Sequence, residues 1–171
     1  MDARSESQPA PTKNGTTVER KSERELVVTR TINGPARLVF EAWTKPELFK
    51  QWWVPKSFGL TLLSCEMDAR VGGKYRLVFR HGASESMAFY GTYVEVTPHS
   101  RLVWTNEEEG DAGQVTTVTF EEKAGKTLLV LHELYPSKEA LDASGSTGGM
   151  PETLEQLDEF VVTLGASVGR S

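Results

Sequence analysis

The feature that most constrains the fold is one long amphipathic helix that follows a series of short strands. Residues 60–134 alternate apolar and polar side chains with a period of two, broken by short turns, as antiparallel strands do. One face of such a sheet can stay solvated only if another element buries the opposite face. The helix predicted for residues 150–165 has an apolar stripe that includes Leu154, Leu157 and Val161, and no other predicted element is large enough for this role. The order therefore predicts an α+β fold.

The residues before this series add a first strand and two short helices. "ELVVTRTI", residues 25–32, is rich in β-branched side chains, as strands are. Residues 35–43 then place apolar side chains at helical spacing. "TKPE", residues 44–47, has the spacing of a capping box and opens a second helix that Pro55 ends. We therefore expect one domain over residues 24–165, with a curved antiparallel sheet of about six or seven strands.

The two ends of the chain are expected to lie outside this domain. Residues 1–23 are polar and have almost no apolar partners to offset the entropy of ordering, so the sequence predicts a disordered tail. Gly165 is expected to end the last helix, because glycine is common just past a helix C-terminus. Residues 166–171 then form a second, short tail.

Composition restricts the partners. The net charge is −5 and no basic stripe is present, which argues against nucleic acid as a ligand. No run approaches the roughly 18 consecutive apolar residues of a membrane helix. The single cysteine, Cys65, cannot form an internal disulfide, so a cytoplasmic location is the expectation. A small molecule or a protein remains as the partner of a chain that we expect to be a monomer or a homodimer.

Five segments of the chain have the character of known motifs: "PARLVFEAWTKPELFKQWW", "MDARVGGKYR", "GTYVEVTPHSRLVWT", "LYPSKEALDA" and "ETLEQLDEF". These segments and the order of elements resemble the START-like (SRPBCC) superfamily, whose helix-grip fold is typified by birch pollen allergen. Within it, the sequence is similar to the family related to the activator of heat-shock protein 90 ATPase. Two positions depart from the family pattern: Val54-Pro55 stands in place of Gly-Pro, and Gly149-Met150-Pro151 stands where many members have Gly-Trp.

This resemblance implies a cavity between the concave sheet and the last helix, closed at one end by the two short helices. Binding pockets are mostly apolar with a few placed polar groups. The inward-facing side chains of these elements are therefore the candidate ligand contacts. They are Trp52, Trp53, Phe58, Cys65, Met67, Tyr75, Phe79, Phe89, Tyr93, Trp104, His132, Met150, Leu154 and Leu157.

Several of these candidates have two interpretations. Adjacent residues on a helix point about 100° apart, so either Trp52 or Trp53 is expected to plug the end of the core while the other faces the cavity. Tyr75 and Tyr93 either orient a ligand or pack in the core. His132 has the parity of three apolar residues in its strand, so it is either a core histidine or a ligand contact.

We expect a binding protein for a small hydrophobic or amphipathic molecule. No nucleophile elbow, phosphate loop or zinc spacing is present, so the sequence predicts no catalytic residue, metal or cofactor. Cys65 is interpreted as a small apolar residue, and Arg70 as the partner of Asp68 in a structural ion pair. Two alternatives stay open. One is a chaperone-associated module of the stress response with an acidic outer surface; the other is an enzyme of the polyketide cyclase or hydrolase type.

Overall fold

In a computed structural model, the chain forms one antiparallel sheet with helices on its inner side. The residues described are 12–13, 15–54, 59–83, 85–106, 114–142 and 146–169. The strands are β1 (Thr12–Lys13), β2 (Thr16–Arg20), β3 (Glu25–Ile32), β4 (Leu60–Met67), β5 (Lys74–His81), β6 (Met87–Thr97), β7 (Arg101–Asn106), β8 (Gln114–Lys123) and β9 (Lys126–Leu134). The helices are α1 (Ala36–Thr44), α2 (Pro46–Phe49), α3 (Lys138–Asp142) and α4 (Ser146–Gly169).

The order of strands across the sheet is β1-β2-β3-β9-β8-β7-β6-β5-β4. Two short helices follow β3 and one long helix closes the chain, which confirms the predicted α+β class and the helix-grip order. The described strands exceed the predicted six or seven because β1 and β2 come from residues that we expected to form a tail. None of the described helices is long and apolar enough to cross a membrane.

A row of opposed apolar side chains identifies the buried face of the sheet, which we call the inner face. Helix α1 packs on this face, where the rings of Phe40 and Phe120 meet at 5.5 Å. Helix α4 packs on β2, β3 and α1. The row consists of Val18, Val28, Leu131, Val118 and Leu102, and each of these side chains is almost fully buried.

The predicted N-terminal tail is wrong for residues 16–20, which form β2. Val18 lies opposite Val28 of β3 and is buried there, and Arg20 forms an ion pair with Asp142 of α3 at 2.7 Å. The composition of the segment failed as a guide because its apolar partner lies on another strand. Residues 1–11 lie outside the described part of the chain.

The predicted helix ends also need correction. Helix α4 continues past Gly165 to Gly169, into the expected C-terminal tail. Helix α2 ends at Phe49, before the predicted stop at Pro55. The capping box is absent: Lys45 occupies the N-cap, and the Thr44 hydroxyl donates instead to the Phe40 carbonyl at 2.9 Å.

Strand β4 contains a bulge between Leu62 and Ser64, which changes which of its side chains point to the inner face. A strict period of two would place Leu63 on the same face as Cys65 and Met67, but Leu63 is the extra residue of the bulge and is 45% exposed. Leu62 takes its place, directly opposite the buried Phe79 of β5. One additional residue reverses side-chain parity along a strand, which a period of two cannot reveal.

Candidate ligand-binding site

The candidate site lies on the inner face of β4–β7, beside α1 and the segment that contains α2. Met67 lies opposite Tyr75, and Cys65 lies opposite Leu77. The principal contacts of α4 are with β2, β3 and α1, so this side of the inner face is less covered than the β2–β3 side. The partly exposed apolar side chains here are Trp53, Leu62, Cys65, Met67, Phe89 and Trp104.

The two adjacent tryptophans have different environments. Trp52 is 1% exposed and its indole N–H donates to the Ala42 carbonyl at 3.0 Å, so it plugs the end of the core. Trp53 is only partly buried and stacks on Phe49, with ring centroids 4.8 Å apart. Trp53 is therefore the one of the pair with surface left to contact a guest.

Helix α4 holds this tryptophan segment in place through side-chain hydrogen bonds. The Gln156 amide donates to the carbonyls of Trp52 and Val54 at 2.9 and 2.8 Å. The Thr153 hydroxyl donates to the Trp53 carbonyl at 3.3 Å. These bonds satisfy carbonyls that follow the short helix α2.

Trp43 of α1 forms the centre of an aromatic cluster that joins the plug to the sheet. Its ring lies 4.8 Å from Trp52, and 5.8 Å from both Trp53 and Trp104. Trp43 is 1% exposed, and its indole N–H has no hydrogen-bond partner among the described residues. The helical spacing of α1 indicated that Trp43 is a core residue, but it carried no signal that this ring would contact Trp104.

Tyr75 and Tyr93 are both buried on the inner face, with ring centroids 5.9 Å apart. The Tyr75 hydroxyl donates to the Thr105 carbonyl at 2.8 Å. The Tyr93 hydroxyl makes no hydrogen bond to a described residue. Burial, with a smaller effect of Cys65 and Asp68, raises the pKa of Tyr93 well above its usual range, so this phenol stays protonated.

Gly91 explains how the Thr105 carbonyl reaches Tyr75. A Cβ on Gly91 would lie 1.7 Å from the Thr105 oxygen, so any other residue would push β7 away from β6. A glycine inside a strand often marks a bulge or bend. The irregularity of β6 lies two residues later, between Tyr93 and Glu95, while Gly91 itself permits a close approach of two backbones.

Cys65 is a protonated, half-buried thiol. Its sulfur lies 3.6 Å from the Met67 sulfur and 3.8 Å from the Pro46 carbonyl oxygen. Desolvation raises the pKa of Cys65 to about 11. A thiol is nucleophilic as the thiolate, so Cys65 presents a soft, uncharged surface at neutral pH. Across the described residues, no group of three His, Cys, Asp or Glu side chains could hold a metal ion.

His132 lies on the outer face, contrary to the predicted cavity position. Its neighbours Leu131 and Glu133 belong to the buried set of β9, whereas His132 Nε2 lies 2.9 Å from Glu25 Oε1 at the surface. The hydrogen bond from His132, with a second from Ser22, lowers the pKa of Glu25. Alternation correctly placed His132 on the same face as Leu128, Val130 and Leu134, but that face is the outer one.

Glu133 lies on the inner face, although an inward His132 would have placed this neighbour on the outside. It is 6% exposed, lies in register with Thr116 and Leu26, and accepts a 2.5 Å hydrogen bond from the Tyr135 hydroxyl. No signal in the sequence indicated this, because the opposite set of β9, with Leu128, Val130 and Leu134, is the more apolar of the two.

Of the remaining candidate ligand contacts, some are buried in the core and one keeps exposed surface. Phe79 is buried, whereas its ring partner Phe89, 5.5 Å away, is 39% exposed. Leu154 and Leu157 are fully buried on α4. Arg70 forms the expected exposed ion pair with Asp68, Nε to Oδ2 2.8 Å. Phe58 and the side chain of Met150 lie outside the described residues.

The family can now be assigned from the sequence itself. Residues 33–161 match the family model described as "Activator of Hsp90 ATPase homolog 1-like protein". The chain belongs to this family. The match covers α1 and α2, strands β4 to β9 and most of α4, and so contains the whole candidate site. No curated protein matches the sequence significantly.

Solved structures share the fold of this Activator of Hsp90 ATPase homolog 1-like chain. A protein from Nitrosomonas europaea is 24% identical, with 86% of this chain and 99% of that chain covered and a TM-score of 0.76. A protein from Chromobacterium violaceum is 29% identical, with 79% and 95% covered and a TM-score of 0.66. An AHSA1-like protein from Aeromonas hydrophila is 19% identical, with 81% and 94% covered and a TM-score of 0.64.

Proposed function

We propose that this chain binds a small hydrophobic or amphipathic molecule on the inner face of β4–β7. The observation that carries the proposal is the group of partly exposed apolar side chains there, which includes Trp53 and Trp104. An apolar surface with a few polar groups is typical of ligand sites. A guest would cover surface that α4 leaves open.

The energetics favour a guest of this kind. Burial of apolar surface yields about 25 cal/mol per Å², so a ligand that covers Trp53, Met67 and Phe89 gains affinity without any charged contact. The plug formed by Trp52 and the bonds from Gln156 hold the end of the site in place. A largely preformed site loses little entropy when the ligand binds.

Titration with neutral aromatic and aliphatic compounds, followed by tryptophan fluorescence, tests this proposal. We expect a saturable change, because Trp53 and Trp104 lie at the site. Trp53→Ala should weaken binding about tenfold, since it removes a large apolar contact. Val162→Ala is the matched control, because Val162 is an exposed apolar residue on α4. An absence of saturable change across a broad panel would contradict the proposal.

A second candidate is an interaction with a chaperone in the cytoplasm, as part of a stress response. The family description, which names activators of Hsp90 ATPase, is the observation that favours it. The net charge of −5 would suit a basic partner surface. Capture by an immobilised Hsp90 homologue that weakens at high salt would support it, whereas no capture at low salt would contradict it.

A cyclase or hydrolase reaction at the same site has weaker support. General acid–base catalysis needs a group that titrates near the working pH. The phenol of Tyr93 and the thiol of Cys65 both stay protonated at neutral pH. The carboxyl group of Glu133 already accepts a hydrogen bond from the Tyr135 hydroxyl. The described inner face is therefore better suited to binding a molecule than to transferring its protons.

A further inference from the structure

We propose that Tyr93 is the polar anchor of the site and donates its hydroxyl proton to a neutral acceptor, such as a carbonyl oxygen, on an otherwise apolar ligand. This inference rests on the proposed binding function and specifies the ligand class. Tyr93 is 4% exposed, yet its hydroxyl has no hydrogen bond to a described residue. The Tyr93 oxygen is not one of the fully buried polar atoms of the described residues, so a ligand can reach it. An acceptor on the ligand would give this donor a partner within a largely apolar site.

The position of Tyr93 places this donor beside the open apolar surface. Its ring packs between Tyr75 at 5.9 Å and Trp104 at 6.4 Å, and Trp104 is one of the partly exposed rings of the site. Tyr75 cannot take the same role without losing its 2.8 Å bond to the Thr105 carbonyl. Of these two tyrosines, Tyr93 is the one whose hydroxyl is not already committed to the backbone.

The surrounding charges favour an uncharged ligand over an anion. Among the described residues, the inward-facing positions of β4–β7 include no lysine or arginine. The guanidinium of Arg30 faces inward on β3, but it is paired with Asp158. Glu133 contributes a buried carboxyl to the inner face, and Asp68 adds a negative charge near Tyr93. Arg70 is paired with Asp68, and Lys50, whose charge acts on Cys65, is exposed. A carboxylate or phosphate would therefore leave water without a counter-ion on the inner face of these strands.

The Tyr93 phenol suits a donor role, because it stays protonated over the physiological pH range. A phenol that cannot ionise acts as a hydrogen-bond donor to a ligand acceptor. The thiol of Cys65 and the thioether of Met67 supply soft, polarisable contacts for the apolar part of the ligand. The geometry thus matches a compact apolar molecule that bears one ketone, ester or ether oxygen.

Three probes of similar shape test the anchor: 2-acetylnaphthalene, 2-isopropylnaphthalene and 2-naphthoate. Binding to the full chain is measured by NMR through the tryptophan indole N–H signals. We expect the ketone to bind about threefold to tenfold more tightly than the hydrocarbon, which is the usual net effect of one hydrogen bond. The carboxylate should bind most weakly.

Tyr93→Phe should remove the advantage of the ketone and leave the hydrocarbon affinity unchanged. Tyr90→Phe is the matched control, because Tyr90 lies on the outer face in register with Arg76. A ketone advantage that persists in Tyr93→Phe, or tighter binding of the carboxylate than of the ketone, would overturn the anchor while the binding function stands. If none of the probes binds the wild-type chain saturably, the proposed function fails together with the anchor.

Discussion

Arg30 of β3 and Asp158 of α4 form a buried ion pair across the layer between sheet and helix, with Nη2 and Oδ2 2.9 Å apart. Asp158 also accepts hydrogen bonds from the backbone and side-chain amides of Asn33, and Arg30 donates to the Thr16 hydroxyl of β2. One carboxylate therefore joins the C-terminal helix to the segment between β3 and α1 and, through Arg30, to β2.

Asp158→Ala is expected to lower the free energy of unfolding by about 3 kcal/mol, because it leaves a buried guanidinium without its partner. Chemical denaturation monitored by circular dichroism measures this loss. Glu159→Ala on the exposed side of the same helix is the matched control and should change stability by less than about 0.5 kcal/mol. Equal effects of the two variants would show that the ion pair does not hold α4 to the sheet.

The two adjacent tryptophans should respond differently to the same substitution. Trp52→Phe removes the hydrogen bond to the Ala42 carbonyl and leaves a cavity, so we expect a loss of about 2 kcal/mol in unfolding free energy. Trp53→Phe keeps an aromatic ring at a partly exposed position and should cost less than about 1 kcal/mol. Thermal denaturation of both variants checks the order, and a reversed order would contradict the plug assignment.

Arg20→Ala should raise the pKa of Asp142 towards its ordinary value of 3.8. The hydrogen bond from Arg20 is the largest cause that lowers this pKa, followed by the bond from Lys138. Because the folded pKa is depressed, the associated stability is present above the unfolded pKa and is lost as the pH falls through the folded pKa. NMR titration of the carboxyl carbon measures the shift. Arg37→Ala, an exposed arginine on α1, is the control. An unchanged Asp142 pKa in Arg20→Ala would place β2 away from α3.

Alkylation of Cys65 by iodoacetamide should be slow at pH 8 and should rise about tenfold per pH unit until about pH 11. In denaturant, the rate should level off near the ordinary pKa of 9.0. Ionisation is less favourable in the folded state, so the free energy of unfolding should fall as the pH rises above 9. A folded-state rate that levels off near pH 9 would contradict the burial of this thiol. Saturation with a bound ligand should slow the reaction further.

Much of the fold was predictable because it depends on patterns that are local in the chain. The helix spacing in α1, the stripe on α4 and the two-residue alternation of the strands each report which side of an element is apolar. The errors occur where the position of a side chain depends on contacts with another element or on an irregularity in the strand. Val18 has its partner on β3, and the bulge at Leu63 reverses parity within β4.

The candidate site was predictable as a set of residue types and less so as a set of positions. Inward positions such as Tyr75 and Phe79 follow from alternation, since the opposite face of β5 carries arginines. His132 and Glu133 show the limit, because alternation assigns neighbours to opposite faces without deciding which face is buried. The helices α1 and α4 pack on the inner face, so Glu133, which lies on that face, is buried.

The sequence by itself determined the order of elements, the family and the apolar character of the inner face, because these depend on which residues follow one another. Only the tertiary structure decided that Trp52 plugs the core while Trp53 keeps exposed surface, and that Tyr75 bonds to the backbone while Tyr93 does not. Burial and hydrogen bonding depend on which atoms of distant segments come within a few ångströms, and chain order alone does not specify those distances.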